Sequence, residues 1–224
     1  MTQKPKAMRT HIPSLLLLFP MIVLFAACAE RTPPAESPAA AAEEAPASKE
    51  MKPRVAFLVG EGFHDGETYM TMGYLINTGH DVTVIGTAPG TLTAYNSDFT
   101  VQVERSVNDV DPNDFDALVL PGGKGPAAIR DNADVQAFVK AWWDTGRPTA
   151  AICHGPQVLI SAGVMEGLTS TGIGGIKDEL EAAGVTYLDR AVVTDQQLIT
   201  SRDPDDLNDF SKAIAEAIRA ERSL

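Results

Sequence analysis

From residue 54 onward, apolar and polar positions fall into short blocks with two distinct periods. Arg54–Gly60 (RVAFLVG) is an apolar, β-branched run closed by glycine. Residues 65–78 place Tyr69, Met72, Leu75 and Ile76 at helical spacing, and Asp81–Thr87 (DVTVIGT) alternates before running apolar. Strand, helix and strand in that order make a βαβ unit, whose strands pair in parallel. Residues 91–94 and 99–103 predict a small hairpin or edge pair. Asp116–Leu120 (DALVL) predicts a buried strand stopped by Pro121-Gly122-Gly123. Asn132–Asp144 predicts a helix stopped by Gly146-Arg147-Pro148, and Thr149–Ile152 a fourth buried strand. A helix from His154 to Ala162 is expected to follow that strand with no loop. Lys177–Ala183 predicts a short helix, and Val192–Thr194 with Leu198–Thr200 a hairpin. Asp203–Ala220 predicts an amphipathic C-terminal helix with Pro204 in its first turn. Four parallel strands with interleaved helices make a doubly wound α/β sandwich over residues 54–224.

The N-terminal part has a different pattern. Residues 1–11 carry Lys4, Lys6, Arg9 and His11 and no acid, and residues 14–27 (SLLLLFPMIVLFAA) are almost wholly apolar. That run falls short of the ~20 residues a membrane-spanning helix needs. A basic start, a short apolar run and small residues at its end predict a secretory signal. Phe25-Ala26-Ala27-Cys28 resembles a bacterial lipobox, in which the cysteine is lipidated and becomes the first residue after cleavage. Residues 1–28 therefore read as a lipoprotein signal ending at Cys28, with an ordinary cleaved signal as the alternative. Residues 29–53 are mostly Ala, Pro, Glu and Ser. With so little to bury, they predict a disordered tether. Together these place the domain in the bacterial cell envelope, lipid-anchored and facing the periplasm, with the outer membrane favoured.

Composition narrows the partners. The 224 residues include 18 Lys+Arg against 30 Asp+Glu, a formal net charge of −12. Nucleic acid and anionic lipid surfaces need a basic face, so neither is expected as the main partner. Two cysteines, Cys28 and Cys153, exclude a disulfide-built scaffold.

Ligands of open parallel sheets bind beyond the carboxyl ends of the strands, and three such ends carry chemistry. At Ala151–Pro156 (AICHGP) a buried strand runs straight into Cys153-His154-Gly155-Pro156 and a helix. Such a turn is a nucleophile elbow, which exposes the side chain above the sheet. It also aims a helix N-terminus at the sulfur, which is expected to lower the thiol pKa. A small buried hydrophobe is the bland alternative for Cys153. Gly122 and Gly123, at the neighbouring strand end, can offer unobstructed N–H groups to an oxyanion or substrate. Glu67, at the start of the first helix, faces the same crevice. Burial and a nearby thiolate would raise its pKa and let it shuttle a proton. His64 and His154 are the other titratable groups, with His64 a candidate to bind substrate or act as a substitute base. No typical ligand spacing supports a metal, and His80 is expected to be structural.

At this point the residues resemble the PfpI-like intracellular proteases of the glutamine-amidotransferase-like superfamily, which also holds the Parkinson-associated protein deglycase. The resemblance rests on Phe63–Glu67 (FHDGE), Gly79-His80, Phe115–Gly123 (FDALVLPGG), Ala151–Gln157 (AICHGPQ), Ile160–Val164, Gly175–Asp178 (GIKD) and Ser201-Arg202. It implies a flavodoxin-like sandwich and a homo-oligomer, a dimer or larger ring. It also implies Cys153 as nucleophile, Glu67 as the acid beside its sulfur, His154 as partner base, and Gly122 with Gly123 at the oxyanion site. Protease-like members complete a Cys-His-Glu triad across a subunit interface. The matching position after Pro126 is Ala127, and the pair before Gly-Ile-Lys-Asp is Ile173-Gly174 instead of Tyr-Pro.

These features favour a cysteine-dependent enzyme with glyoxalase or deglycase chemistry on small carbonyls or their protein adducts, needing no cofactor. A cysteine peptidase or amidase is the second expectation. A redox sensor or holdase, in which Cys153 is oxidised without turnover, is the third.

Overall fold

A computed structural model describes residues 51–223. The signal, Cys28 and nearly all of the tether lie outside the described residues. The elements in chain order are β1 (Arg54–Leu58), α1 (Asp65–Asn77), β2 (Asp81–Gly86), β3 (Gly90–Thr93), β4 (Thr100–Val103) and β5 (Arg105–Ser106). There follow β6 (Ala117–Leu120), α2 (Gly125–Ile129), α3 (Ala133–Trp143), β7 (Thr149–Ile152), α4 (Pro156–Ser161) and β8 (Thr169–Ser170). The chain ends with α5 (Lys177–Ala182), β9 (Thr186–Tyr187), β10 (Val192–Asp195), β11 (Leu198–Ser201) and α6 (Leu207–Glu221).

Seven strands form the main sheet in the order β10-β11-β7-β6-β1-β2-β5. All neighbours are parallel except the β10–β11 hairpin. Every residue of β6 and β7 is buried, as expected for parallel strands covered on both faces. One core, around Leu118, Phe138, Trp142 and Leu159, lies beneath α3, α4 and α5. Trp142 keeps its indole N–H satisfied on Thr149 Oγ1 at 2.9 Å. The other core, around Phe57, Phe63, Phe210 and Ile214, lies beneath α1 and α6. The chain thus steps outward from β1 to β2 on one side, then back across to β6 and β7 on the other. The resulting switch point lies at the carboxyl ends of β1 and β6.

The structure adds elements that the pattern did not show: α2, β5 and the two-stranded β8–β9 sheet. It also turns α1 differently. Its buried face is Glu67, Thr68, Thr71 and Leu75, while Tyr69 and Ile76 are exposed. The expected apolar stripe is therefore split, because the face toward the sheet carries short polar side chains and the site's carboxyl. Among the described residues, no helix is long and apolar enough to cross a membrane.

Candidate active site

Three loops meet above the switch point. The loop after β1 lies against the loop after β6 through a bridge between Phe63 and Gly123. There His64 N–H donates to the Gly122 carbonyl at 3.1 Å, and Lys124 N–H to the Gly62 carbonyl at 2.8 Å. The third loop is the turn after β7. It is three residues long, Cys153–Gly155, so α4 begins at Pro156 rather than at His154.

Cys153 has φ 61, in the left-handed region that non-glycine residues rarely occupy. A residue held there is strained, and such strain persists only where the surroundings impose it. Here Cys153 N–H donates to the Ser201 carbonyl (3.0 Å) and Gly155 N–H to the Ile152 carbonyl (2.7 Å). A Cβ on Gly155 would collide with the Leu120 carbonyl oxygen, so the turn also requires glycine there.

Glu67 has no exposed surface. Its Oε2 accepts the Gly122 N–H at 2.7 Å, and its Oε1 is buried with no partner of ordinary geometry. Gly122 lies between this carboxyl and the sulfur. A Cβ there would come within 2.7 Å of both Cys153 Cβ and Glu67 Oε2. The absence of a side chain at 122 is therefore what lets the two acids approach.

Burial pushes Glu67 up to about 7, against the pull of the Gly122 N–H and the Cys153 thiol. Burial and then the Glu67 charge push Cys153 up to about 12, against the pull of the Gly123 and His154 N–H groups. This corrects the expectation of a thiol pKa lowered by the helix. Pro156 opens α4 without an N–H, and two backbone donors do not outweigh burial beside a carboxylate. The two acids oppose each other's ionisation, so near neutrality they carry at most one negative charge between them.

His154 places Nδ1 3.2 Å from Cys153 Sγ. Burial lowers its pKa, and Glu179 on α5 opposes that. His64 caps α1, its Nδ1 accepting the Glu67 N–H at 3.5 Å, and packs edge-on against Tyr95 with centroids 5.7 Å apart. Burial lowers its pKa too, opposed by Asp65.

The geometry thus brings Cys153, His154, Glu67, Gly122 and Gly123 together, with His64 joined to them through its N–H on the Gly122 carbonyl. One expected role changes. The Gly122 N–H is engaged by Glu67 and does not face the crevice, which leaves Gly123 and His154 as the backbone donors toward the sulfur. His80 is buried in the turn between α1 and β2, with Nδ1 3.0 Å from the Leu75 carbonyl oxygen. Sequence reasoning missed Glu179, whose distance in the chain from His154 left no local signal.

A mostly parallel flavodoxin-like sandwich with a cysteine at a strained strand-to-helix turn, beside a buried carboxyl and a histidine, defines the class of protein. The chain belongs to the DJ-1/PfpI family, whose sequence profile matches residues 53–217. It is similar to a deglycase of Thermococcus kodakarensis, 38% identical over 166 residues, covering 74% of this chain and 99% of that protein. It is also similar to a Bacillus subtilis protein named as a candidate cysteine protease, 36% identical over 162 residues, covering 72% and 96%. Among solved structures, an Anabaena variabilis protein with DJ-1/ThiJ/PfpI-like and ferritin-like domains superposes with a TM-score of 0.72 at 35% identity. That match covers 74% of this chain and 48% of the two-domain one.

Proposed function

We propose that this protein is a cysteine-dependent enzyme acting on small reactive carbonyl compounds, such as methylglyoxal, or on their early adducts with amino groups, without an added cofactor. The observation that carries this reading is the buried Glu67 carboxyl beside Cys153. A group that gains and loses its proton near pH 7 is suited to general acid–base work on a bound carbonyl. The thiol gives its proton to His154 as the sulfur bonds to the aldehyde carbon, and the carbonyl oxygen is protonated, which yields a hemithioacetal. Glu67 then moves the proton on that carbon to the neighbouring one while the hydroxyl proton passes to the neighbouring carbonyl oxygen, and the product is a thioester of a 2-hydroxy acid. Water cleaves the thioester, releasing lactate and restoring the thiol. Methylglyoxal and water enter and lactate leaves, with no net oxidation. The deglycase name of the Thermococcus relative supports the same substrate class.

A peptidase is the second reading, favoured by the 3.2 Å contact between Cys153 and His154 and by the name of the Bacillus relative. Peptide cleavage must protonate a poor amine leaving group, which needs a well-oriented base. Losing the orienting carboxylate of a Ser-His-Asp triad costs on the order of 10⁴ in kcat, and Ala127 has no carboxylate to offer. An aldehyde expels nothing in its first step and tolerates that loss. We also propose a lipid-anchored envelope location, supported by the sequence around Cys28, and a homo-oligomer, supported by the family resemblance.

The test is a panel of small aldehydes and peptides on the purified protein, with Cys153→Ser beside it. Methylglyoxal is expected to disappear in a Cys153-dependent manner, with negligible peptide cleavage. Ready peptide cleavage with methylglyoxal untouched would overturn the proposal. Reversible oxidation of Cys153 without any turnover would favour the redox reading.

A further inference from the structure

His154 has no Glu at position 127 to pair with, but the chain brings another carboxylate to it. Glu179 lies on α5 and is held from two sides. Arg130, just past α2, pairs with its Oε1, and Gln157 Nε2 donates to its Oε2 at 2.6 Å. Arg130 is fixed in turn, its Nε donating to Ser161 Oγ at 2.9 Å. Gln157 lies in the first turn of α4, soon after His154, whose carbonyl accepts the Gln157 N–H at 3.0 Å. The carboxylate is thereby fastened to the wall that carries the imidazole.

A purely structural tie between α2, α4 and α5 is the simpler explanation. Yet the pair is only partly buried, with 35% of the Glu179 side chain exposed, so solvent screening limits what it adds to stability. The chemistry, by contrast, calls for a charge at this place. His154 Nδ1 faces the sulfur, and once it takes the thiol proton the ring is a cation carrying hydrogen on both nitrogens. The charged and titratable groups around it are Cys153 on the elbow with Glu67 behind it, Glu179 on α5, and Arg130 beyond Glu179. Glu179 favours the charged ring, and the ring in turn favours the ionised carboxylate.

We propose that Glu179 is a positioning residue acting through His154, supplying from within the same chain the counter-charge for the imidazolium that position 127 does not provide. It makes no hydrogen bond to the ring in this structure. It therefore assists proton transfer from the thiol without restoring the orienting bond that peptide cleavage demands. The inference rests on reading Cys153 as the nucleophile.

Two measurements on the purified protein separate the inference from that reading: the NMR titration of His154, with His64 as internal reference, and kcat and KM for methylglyoxal. Glu179→Gln is expected to move the His154 midpoint to lower pH and leave that of His64 in place. It is also expected to reduce kcat about tenfold with little change in KM. Glu179→Asp should recover most of both. Arg130→Gln breaks the same ion pair but leaves the carboxylate unneutralised, so it should move the midpoint to higher pH. A His154 midpoint unmoved by Glu179→Gln overturns the inference. So does an equal downward movement in Arg130→Gln, which marks a structural tie. If the wild-type protein leaves methylglyoxal untouched, the functional reading fails, while the titration still decides the part played by Glu179.

Discussion

A carboxyl with no exposed surface, such as Glu67, holds its proton more tightly in the folded chain than in the unfolded one. The ordinary value of 4.5 rises to about 7. Between those two values the native state binds more protons than the unfolded state, so stability falls as pH rises. The contribution is fully present below the unfolded value and is lost as pH rises through the folded one. At about 1.4 kcal/mol per pH unit the loss is about 3 kcal/mol. Glu67→Gln cannot ionise and should lack this slope. Urea unfolding at pH 4 and pH 8 is the measurement, and the stability of wild type relative to variant is expected to drop by that amount. Equal slopes in the two proteins would mean that Glu67 is already ionised at neutral pH.

At the scale of elements, the turn from β7 to α4 is the most constrained piece of the molecule. Gly155→Ala sets a Cβ against the Leu120 carbonyl oxygen and close to the backbone of Ile152. A destabilisation of about 1–3 kcal/mol is expected from such overpacking. Cys153 should also become more accessible to a small alkylating agent as the turn shifts. Thermal unfolding and alkylation rates check both, and an unchanged midpoint with unchanged alkylation would mean the turn relaxes freely. This turn was readable in the sequence because a continuous apolar strand ends in Cys-His-Gly-Pro. The strands β1, β2, β6 and β7 were readable for the same reason, as were β10 and β11 around their turn. The five residues of α2 and the two-residue strands β5, β8 and β9 are too short to show a period. The face of α1 was misjudged because the helix buries Thr68 and Thr71 while Tyr69 and Ile76 remain outside. Within the site, Cys153, His154 and Glu67 were legible as residue types at strand and helix ends. The diversion of the Gly122 N–H to Glu67 was not, since it depends on two groups 55 positions apart in the chain.

For the whole molecule, the acidic balance and the N-terminal segment bear on where the enzyme works. If Cys28 carries the lipid, Cys153 is the single thiol left, since the chain has two cysteines. Fractionation of cells expressing wild type and Cys28→Ser is expected to find the first with membranes and the second in the soluble envelope fraction. A Cys28→Ser protein that is processed normally and stays with membranes would refute the lipobox assignment. The assembly order of the site follows from the bond between Cys153 N–H and the Ser201 carbonyl. The elbow is braced on one side by β6, made before it, and on the other by β11, made nearly fifty residues later. A growing chain therefore lacks one of the two braces of the elbow until β11 has been added. The strained turn is braced on both sides only once β11 has been made, so the burial that holds the Cys153 thiol protonated is complete only from then on.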